Sequence, residues 1–219
     1  MRSLKLWVGL ALVLGILVGG TWAWWNFELR WRPKTITKHQ AEISAILQAS
    51  GWVSPNLPGQ KLYMVSFRTC PDCIRFEKEE FPSLHSKGVD TRVIEIARRD
   101  ANGAAKSTPV ERATVAQLWI TRDWKLMEAW ESVPADAWKA PGIPPADGDM
   151  ARTSVVEAGR STVDKLTPLL KANGVDFAYP LLVWWNDKGE MRGCACEKRQ
   201  SYRFVREELA ATAQPPAGP

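Results

Sequence analysis

The sequence predicts an α/β domain built from a βαβ half and a C-terminal ββα half. A helical insertion separates the halves, and a single N-terminal transmembrane helix precedes them. Three observations carry this reading. A 20-residue run without a charge, Leu6 to Trp25, opens the chain. A short β-rich apolar run, KLYMVSF at 61–67, leads into Cys70-Pro71-Asp72-Cys73 and then into residues with helical apolar spacing. Near the C-terminus the apolar run Leu181–Trp185 is followed by the turn sequence Asn186-Asp187-Lys188-Gly189, a return strand and a further helix.

The N-terminal run, residues 1–25, is long enough for a membrane anchor. Twenty helical residues at about 1.5 Å each span about 30 Å, one hydrocarbon core. Trp7 stands at one end and Trp22, Trp24, Trp25 and Trp31 at the other, as interfacial aromatics do. The competing reading is a cleavable signal peptide with its apolar region from Leu6 to Val18 and cleavage after Ala23. Thr21-x-Ala23 is a poor small-x-small site and bulky Trp24 and Trp25 follow it, so an uncleaved anchor is favoured. The chain has 29 basic and 24 acidic side chains, a net charge of +5. Six of the basic and one of the acidic lie in residues 1–39, which leaves 23 of each in residues 40–219. The surplus flanks the apolar run and the body is neutral, which argues against nucleic-acid binding. Arg2 and Lys5 precede the run and Arg30, Arg32, Lys34 and Lys38 follow it, so charge leaves its orientation open.

Residues 26–60 read as a connector with one short helix, Lys38–Gln48, capped by Thr37 and presenting Ile43, Ile46 and Leu47. The domain proper is expected at 61–211. Its first strand, 61–67, is followed by a helix that carries Ile74, Phe76 and Phe81 and is expected to break at Pro82. A second strand covers 89–96 and completes a βαβ unit. The insertion, 100–178, predicts helices at 109–121 and 123–133, a Pro- and Gly-rich loop at 134–149, and a helix at 151–173 broken at Pro168 and closed by Gly174. After the hairpin, a last helix covers about 200–211, and residues 212–219 form a Pro/Gly tail read as disordered.

The chemistry centres on Cys70 and Cys73. A Cys at a strand end, with Pro71 at the first helical position, has its sulfur at a helix N-terminus. Free N–H groups and the helix dipole stabilise a thiolate there, and Cys73 one turn on can close a disulfide. CxxC spacing alone fits a redox pair, half a zinc site or a structural disulfide; the strand-to-helix position and the internal proline favour the redox pair. With these residues in place the chain resembles the thioredoxin-fold thiol-disulfide oxidoreductases, closest to the catalytic domain of periplasmic DsbC/DsbG-type disulfide isomerases. The likeness covers about residues 60–211. It rests on Thr69-Cys70-Pro71-Asp72-Cys73, Gln117-Leu118-Trp119 in the insertion, Gly174-Val175 leading into Tyr179-Pro180, the hairpin ending at Gly193, and the closing helix. The resemblance implies Cys70 and Cys73 as catalytic residues, Pro180 as a cis-proline facing them, and Thr69, Tyr179 and Pro180 as a substrate-binding edge. Tyr179 departs from the Thr or Val usual before that proline. Met64 stands where thioredoxins place a buried Asp six residues before the first Cys, and a connector stands where the isomerases carry a dimerisation domain. Asp72, inside the motif, opposes the helix dipole and predicts a less oxidising couple than a Pro-His pair gives, while Arg68 and Arg75 act the other way.

Cys194-Ala195-Cys196 admits three readings: an auxiliary redox pair exchanging with Cys70/Cys73, a contribution to a four-thiolate zinc or Cu(I) site, or a structural disulfide. The first is favoured, with no metal at the catalytic pair. His39 and His85 lack ligand-spaced companions and are expected at the surface, and the Glu77–Glu80 run reads as a solvated helix face. Trp119, Trp124 and Trp130 are expected in the core, with one of Trp184 and Trp185 exposed near the active-site edge. No HExxH, GxSxG or phosphate-binding glycine motif occurs, and no organic cofactor is expected. The expectation is a single-pass inner-membrane thiol-disulfide oxidoreductase with its catalytic domain in the periplasm. It would act on protein thiols and disulfides and exchange electrons with a membrane or periplasmic redox partner. The alternatives are a non-enzymatic metal-binding protein using Cys70, Cys73, Cys194 and Cys196, and an idle adaptor holding a static disulfide.

Overall fold

The structure, a computed structural model, describes residues 2–210. The expected tail at 212–219 lies outside the described residues. The chain divides into two compact units at Arg32/Pro33. The first holds α1 (Arg2–Phe27) and a 3₁₀ turn at Leu29–Trp31. Trp31 Nε1 donates to the Asn26 carbonyl at 2.7 Å, and Arg32 pairs with Glu28 at 2.7 Å. Trp7, Ile16, Leu17, Val18, Trp22, Trp24 and Trp25 are exposed. Among the described residues no helix is long and apolar enough to cross a membrane. The side chains of residues 8–12, within the expected span, lie outside the described set.

The second unit is a five-stranded sheet with helices on both faces. In chain order it runs β1 (Lys34–Thr35), α2 (Gln40–Ala49), β2 (Lys61–Ser66), α3 (Pro71–Ser86), β3 (Asp90–Glu95), α4 (Pro109–Thr121), α5 (Trp124–Glu131), α6 (Met150–Lys171), β4 (Leu181–Trp185), β5 (Met191–Ala195) and α7 (Arg199–Ala210). The sheet order is β1-β5-β4-β2-β3. β2 and β3 are parallel, joined by α3 as a crossover; β4 is antiparallel to β2, and β5 to β4. This βαβ plus ββα order is a thioredoxin-like fold, with β1 added at the β5 edge. β2 and β4 are buried along nearly their whole length, because helices cover both faces: α3 packs with α7, and α6 packs with both α2 and α4.

The 26–60 segment is more than a connector. From Pro33 onward it belongs to the compact unit: Ile36, Ile43, Leu47 and Val53 are fully buried, β1 pairs with β5, and Val53 bridges to Val93. Arg192 on β5 fastens this edge. Its guanidinium bonds the Pro33 carbonyl at 3.1 Å, the Thr35 hydroxyl and the Glu208 carboxylate at 2.8 Å. Thr37 does not cap α2. Its N–H and that of Lys38 both donate to Asn173 Oδ1, at 2.9 and 2.8 Å, and His39 in the left-handed region precedes the helix.

Two proline breaks are absent. α3 continues through Pro82, and α6 through Pro168. Pro82 and Lys78 both lie on the exposed side of α3, where the helical bond lost at Pro82 can be replaced by water. Pro168 lies in the last turns of α6, where few helical bonds remain to be lost. The insertion helices are capped from the sequence: Thr108 and Glu111 form a reciprocal capping box with Pro109 at N1, and Asp123 and Asp149 cap α5 and α6. Trp130 is 1% exposed, while Trp119 and Trp124 are partly buried against the core. Trp184 is fully buried. Trp185 packs edge-on against Tyr63 and accepts a bond from Gln60 on its carbonyl, so it lies near the start of β2, the opposite end from Cys70.

Candidate active site

α3 begins at Cys70. With φ −77° and ψ 108° it is the extended N-cap residue, its N–H donates to the Phe67 carbonyl at 2.9 Å, and Pro71 occupies the first helical turn. The Cys70 sulfur accepts the Cys73 N–H at 3.1 Å, so an unpaired helix donor points at it. Cys70 and Cys73 form a disulfide with Cα atoms 5.2 Å apart. Cys70 is 3% exposed and Cys73 is fully buried, so attack from outside meets Cys70 first. Thr69 is exposed, and its Oγ1 accepts from Arg98 at 3.3 Å.

Two further segments reach this end of the sheet. The Tyr179–Pro180 peptide is cis. The antiparallel register pairs Val65 with Leu181, which places Tyr179 beside Phe67; their rings meet edge-on with centroids 5.0 Å apart. Burial of the Tyr179 phenol raises its pKa to about 12. The Pro180 carbonyl accepts the Cys196 N–H at 2.9 Å. Cys194 and Cys196 form a second disulfide, Cα atoms 5.2 Å apart, and are 7% and 0% exposed. Arg75 joins the two cysteine segments: it pairs with Asp72 inside the CxxC, donates to the Glu197 carbonyl at 2.5 Å, and reaches the Tyr202 hydroxyl at 3.3 Å. Asp72 is therefore not an isolated charge. Arg68 directs one nitrogen to the Trp130 and Val133 carbonyls and stands over the Trp130 ring.

The four-thiolate arrangement does not form. Each cysteine pairs within its own motif and none of the described cysteines is free. Among the described residues, the side chains that do meet at metal-ligand spacing are Glu77, Glu95 and Glu131, with one oxygen from each within 4.8 Å of the others. The acidic run on α3 is accordingly not a solvated face. Glu79 is the outward member, paired with Arg199; Glu80 is 1% exposed and bonds Arg206 at 2.5 Å; Glu77 is partly buried. Glu77 lies four residues after Cys73, one turn further along the same helix face. Glu95 is 2% exposed, and burial raises its pKa to about 8, with Glu131 adding to the rise and Ser66 and Arg68 opposing it. Burial also raises the carboxyls of Glu77 and Glu131, which hydrogen-bond each other. The signal in the sequence was a Glu inside the apolar strand RVIEI; the partners from α3 and α5 carry none.

Glu77 and Glu131 of this trio border a cavity of about 680 Å³ between α3 and α5, lined also by Thr69, Ile74, Phe81, Pro82, Val133 and Pro134 among others. His85 lines it too, bonded to Thr91 at 2.7 Å, its ring tilted beside Phe81 and edge-on to Trp124, so it is half-buried rather than a surface residue. His39 is exposed.

The raised Glu95 pKa has a thermodynamic consequence. The folded carboxyl holds its proton up to about pH 8, while the unfolded one releases it near 4.5. The folded state therefore binds more protons in that window, and its stability falls as pH rises through it, by at most about 1.4 kcal/mol per pH unit for this group. Urea denaturation of Glu95→Gln in chelator-treated buffer is expected to show a flatter pH profile and a protein more stable than the parent at pH 8. An unchanged profile would mean that Glu95 ionises normally in the fold.

No protein-family model and no curated protein matches the chain. Among solved structures it is similar to BcfH of Salmonella enterica Typhimurium, with 13% identity over 95% of this chain and 90% of that one, at a TM-score of 0.47. It is also similar to a linker-deletion variant of Proteus mirabilis ScsC, with 15% identity over 79% of this chain and 81% of that one, at a TM-score of 0.44. What identifies the fold is the strand order and the cysteine at the α3 N-terminus, which stand apart from these likenesses.

Proposed function

We propose that this protein is a thiol-disulfide oxidoreductase acting on protein thiols and disulfides through Cys70 and Cys73. The observation that carries the reading is the Cys70 sulfur at the N-cap of α3, disulfide-bonded to Cys73 and hydrogen-bonded by its N–H. In the oxidising direction a substrate thiolate attacks Cys70 Sγ, the Cys70–Cys73 bond breaks, and Cys73 leaves as a thiolate. A second substrate thiolate then attacks the substrate sulfur and releases Cys70, so two electrons pass from substrate to protein. In the reducing direction Cys70 attacks, and Cys73 resolves the mixed disulfide. The helix N-terminus favours the Cys70 thiolate in both directions. Thr69, Tyr179 and Pro180 form the edge on which the substrate chain lies, with the aromatic Tyr179 narrowing it beside Phe67.

The Cys194–Cys196 disulfide serves as an auxiliary pair. Its bond to Pro180 through the Cys196 N–H, and the Arg75 link from Asp72 to Glu197, support this role. The uncharged Leu6–Trp25 run and its flanking Trp residues support an inner-membrane anchor with the domain in the periplasm, where disulfides persist and a membrane or periplasmic partner resets the couple.

The test is dithiothreitol-driven reduction of insulin by the full chain. Catalysis by the parent that falls to background in Cys70→Ser supports the proposal; equal rates in the two proteins would end it. The motif's inner residue sets the direction of a second result. Replacing Asp72 with His removes a carboxylate that opposes the helix dipole and frees Arg75 from its pair, both of which favour the Cys70 thiolate. Asp72→His is expected to have a higher, more oxidising potential in glutathione equilibration. A potential equal to or below the parent's would refute this electrostatic account.

A further inference from the structure

We infer that Glu77, Glu95 and Glu131 form a binding site for a hard divalent cation at the floor of the α3–α5 cavity. The three carboxylates come from separate elements, α3, β3 and α5, and one oxygen of each lies within 4.8 Å of the others. An ion with metal–oxygen distances of about 2.1–2.4 Å spans that separation. The observation that asks for a ligand is Glu95 Oε2. It is buried without a hydrogen-bond partner, on a residue 2% exposed, in the group where the other two carboxylates meet. An orphaned buried carboxylate oxygen is costly, and a coordinated cation satisfies it.

Charge agrees with geometry. When ionised the trio carries three negative charges, and Arg68, which faces all three, brings a single positive charge to them. Arg68 directs its Nη2 to the Trp130 and Val133 carbonyls, and its Nε is also without a partner. Glu128 on α5 faces Glu131, and Glu111 on α4 faces Glu95, both adding negative potential. An all-oxygen donor set suits Mg²⁺, Ca²⁺ or Mn²⁺ rather than a thiophilic metal. The cavity, which Glu77 and Glu131 both line, provides an entry path and room for waters to complete the shell.

The test is a Mn²⁺ titration of the full chain followed by electron paramagnetic resonance. The expected result is saturable binding of one Mn²⁺ per chain, displaced by excess Ca²⁺. Glu95→Gln and Glu131→Gln are each expected to weaken it at least about tenfold, and Ca²⁺ should raise the melting temperature of the parent but not of Glu95→Gln. Glu131 is only partly buried, so its variant retains the fold if the deeper one does not. Cys70→Ser is expected to bind Mn²⁺ like the parent, which separates this site from the redox reading. Mn²⁺ that stays free with the folded parent, or binds the two Gln variants as tightly, would overturn the inference.

Discussion

Cys73→Ala is expected to collect covalent adducts through Cys70. The lone Cys70 thiolate can still attack a substrate disulfide, but the sulfur that would expel the substrate is gone. The mixed disulfide therefore waits for an outside thiol. Position makes the expectation specific. Cys70 sits at the N-cap, where the backbone N–H of residue 73 remains available to stabilise its thiolate in the variant. Cys73 is fully buried and cannot exchange roles with it. Non-reducing electrophoresis of the variant incubated with a scrambled disulfide protein should show a new species that dithiothreitol removes. Cys70→Ser should show none. Adducts through Cys194 or Cys196 in Cys73→Ala would instead assign the attacking sulfur to the second pair.

The largest effect on stability is expected at Trp184→Ala. Trp184 is fully buried in β4, opposite Leu62 of β2 and Arg192 of β5, and its Nε1 donates to Glu208 Oε2 at 3.0 Å. The substitution leaves a cavity between two strands and removes one of the bonds holding α7 through Glu208. A loss of about 3–5 kcal/mol follows, read as a lower urea midpoint with an unchanged m-value. A loss below about 1 kcal/mol would contradict the close packing of β4 against its neighbours.

The sheet was legible in the sequence because each strand carries a local signal. KLYMVSF and LLVWW are short, apolar and bounded by turn residues, and Asn186–Gly189 has the composition of a hairpin turn. The insertion helices were legible as segments set apart by the Pro- and Gly-rich loop at 134–149 and closed by Gly174, while their caps Thr108, Asp123 and Asp149 emerged with the structure. What stayed hidden depends on tertiary partners. Pro82 and Pro168 read as breaks, since a sequence does not show that Pro82 lies on an exposed helix face or that Pro168 falls in the last turns of a long helix. Residues 33–60 read as a connector because α2 earns its place only through packing on α6 and the Asn173 clamp on Thr37 and Lys38. At the candidate site the nucleophile was legible from Cys70-Pro71, a strictly local pattern. The carboxylate trio was not, because Glu77, Glu95 and Glu131 meet only when α3, β3 and α5 are assembled.

The central claim is that Cys70–Cys73 is an exchangeable redox couple and not a static bond. Its most direct test equilibrates the full chain across a series of reduced and oxidised glutathione ratios, alkylates it in acid-quenched samples, and identifies the labelled cysteines by mass spectrometry. The account predicts that Cys70 and Cys73 become labelled together as a two-electron couple within the glutathione range, with Cys70 found as the glutathione adduct where a mixed disulfide is caught. Cys70 and Cys73 that remain unlabelled across the whole series, in a folded protein, would contradict it.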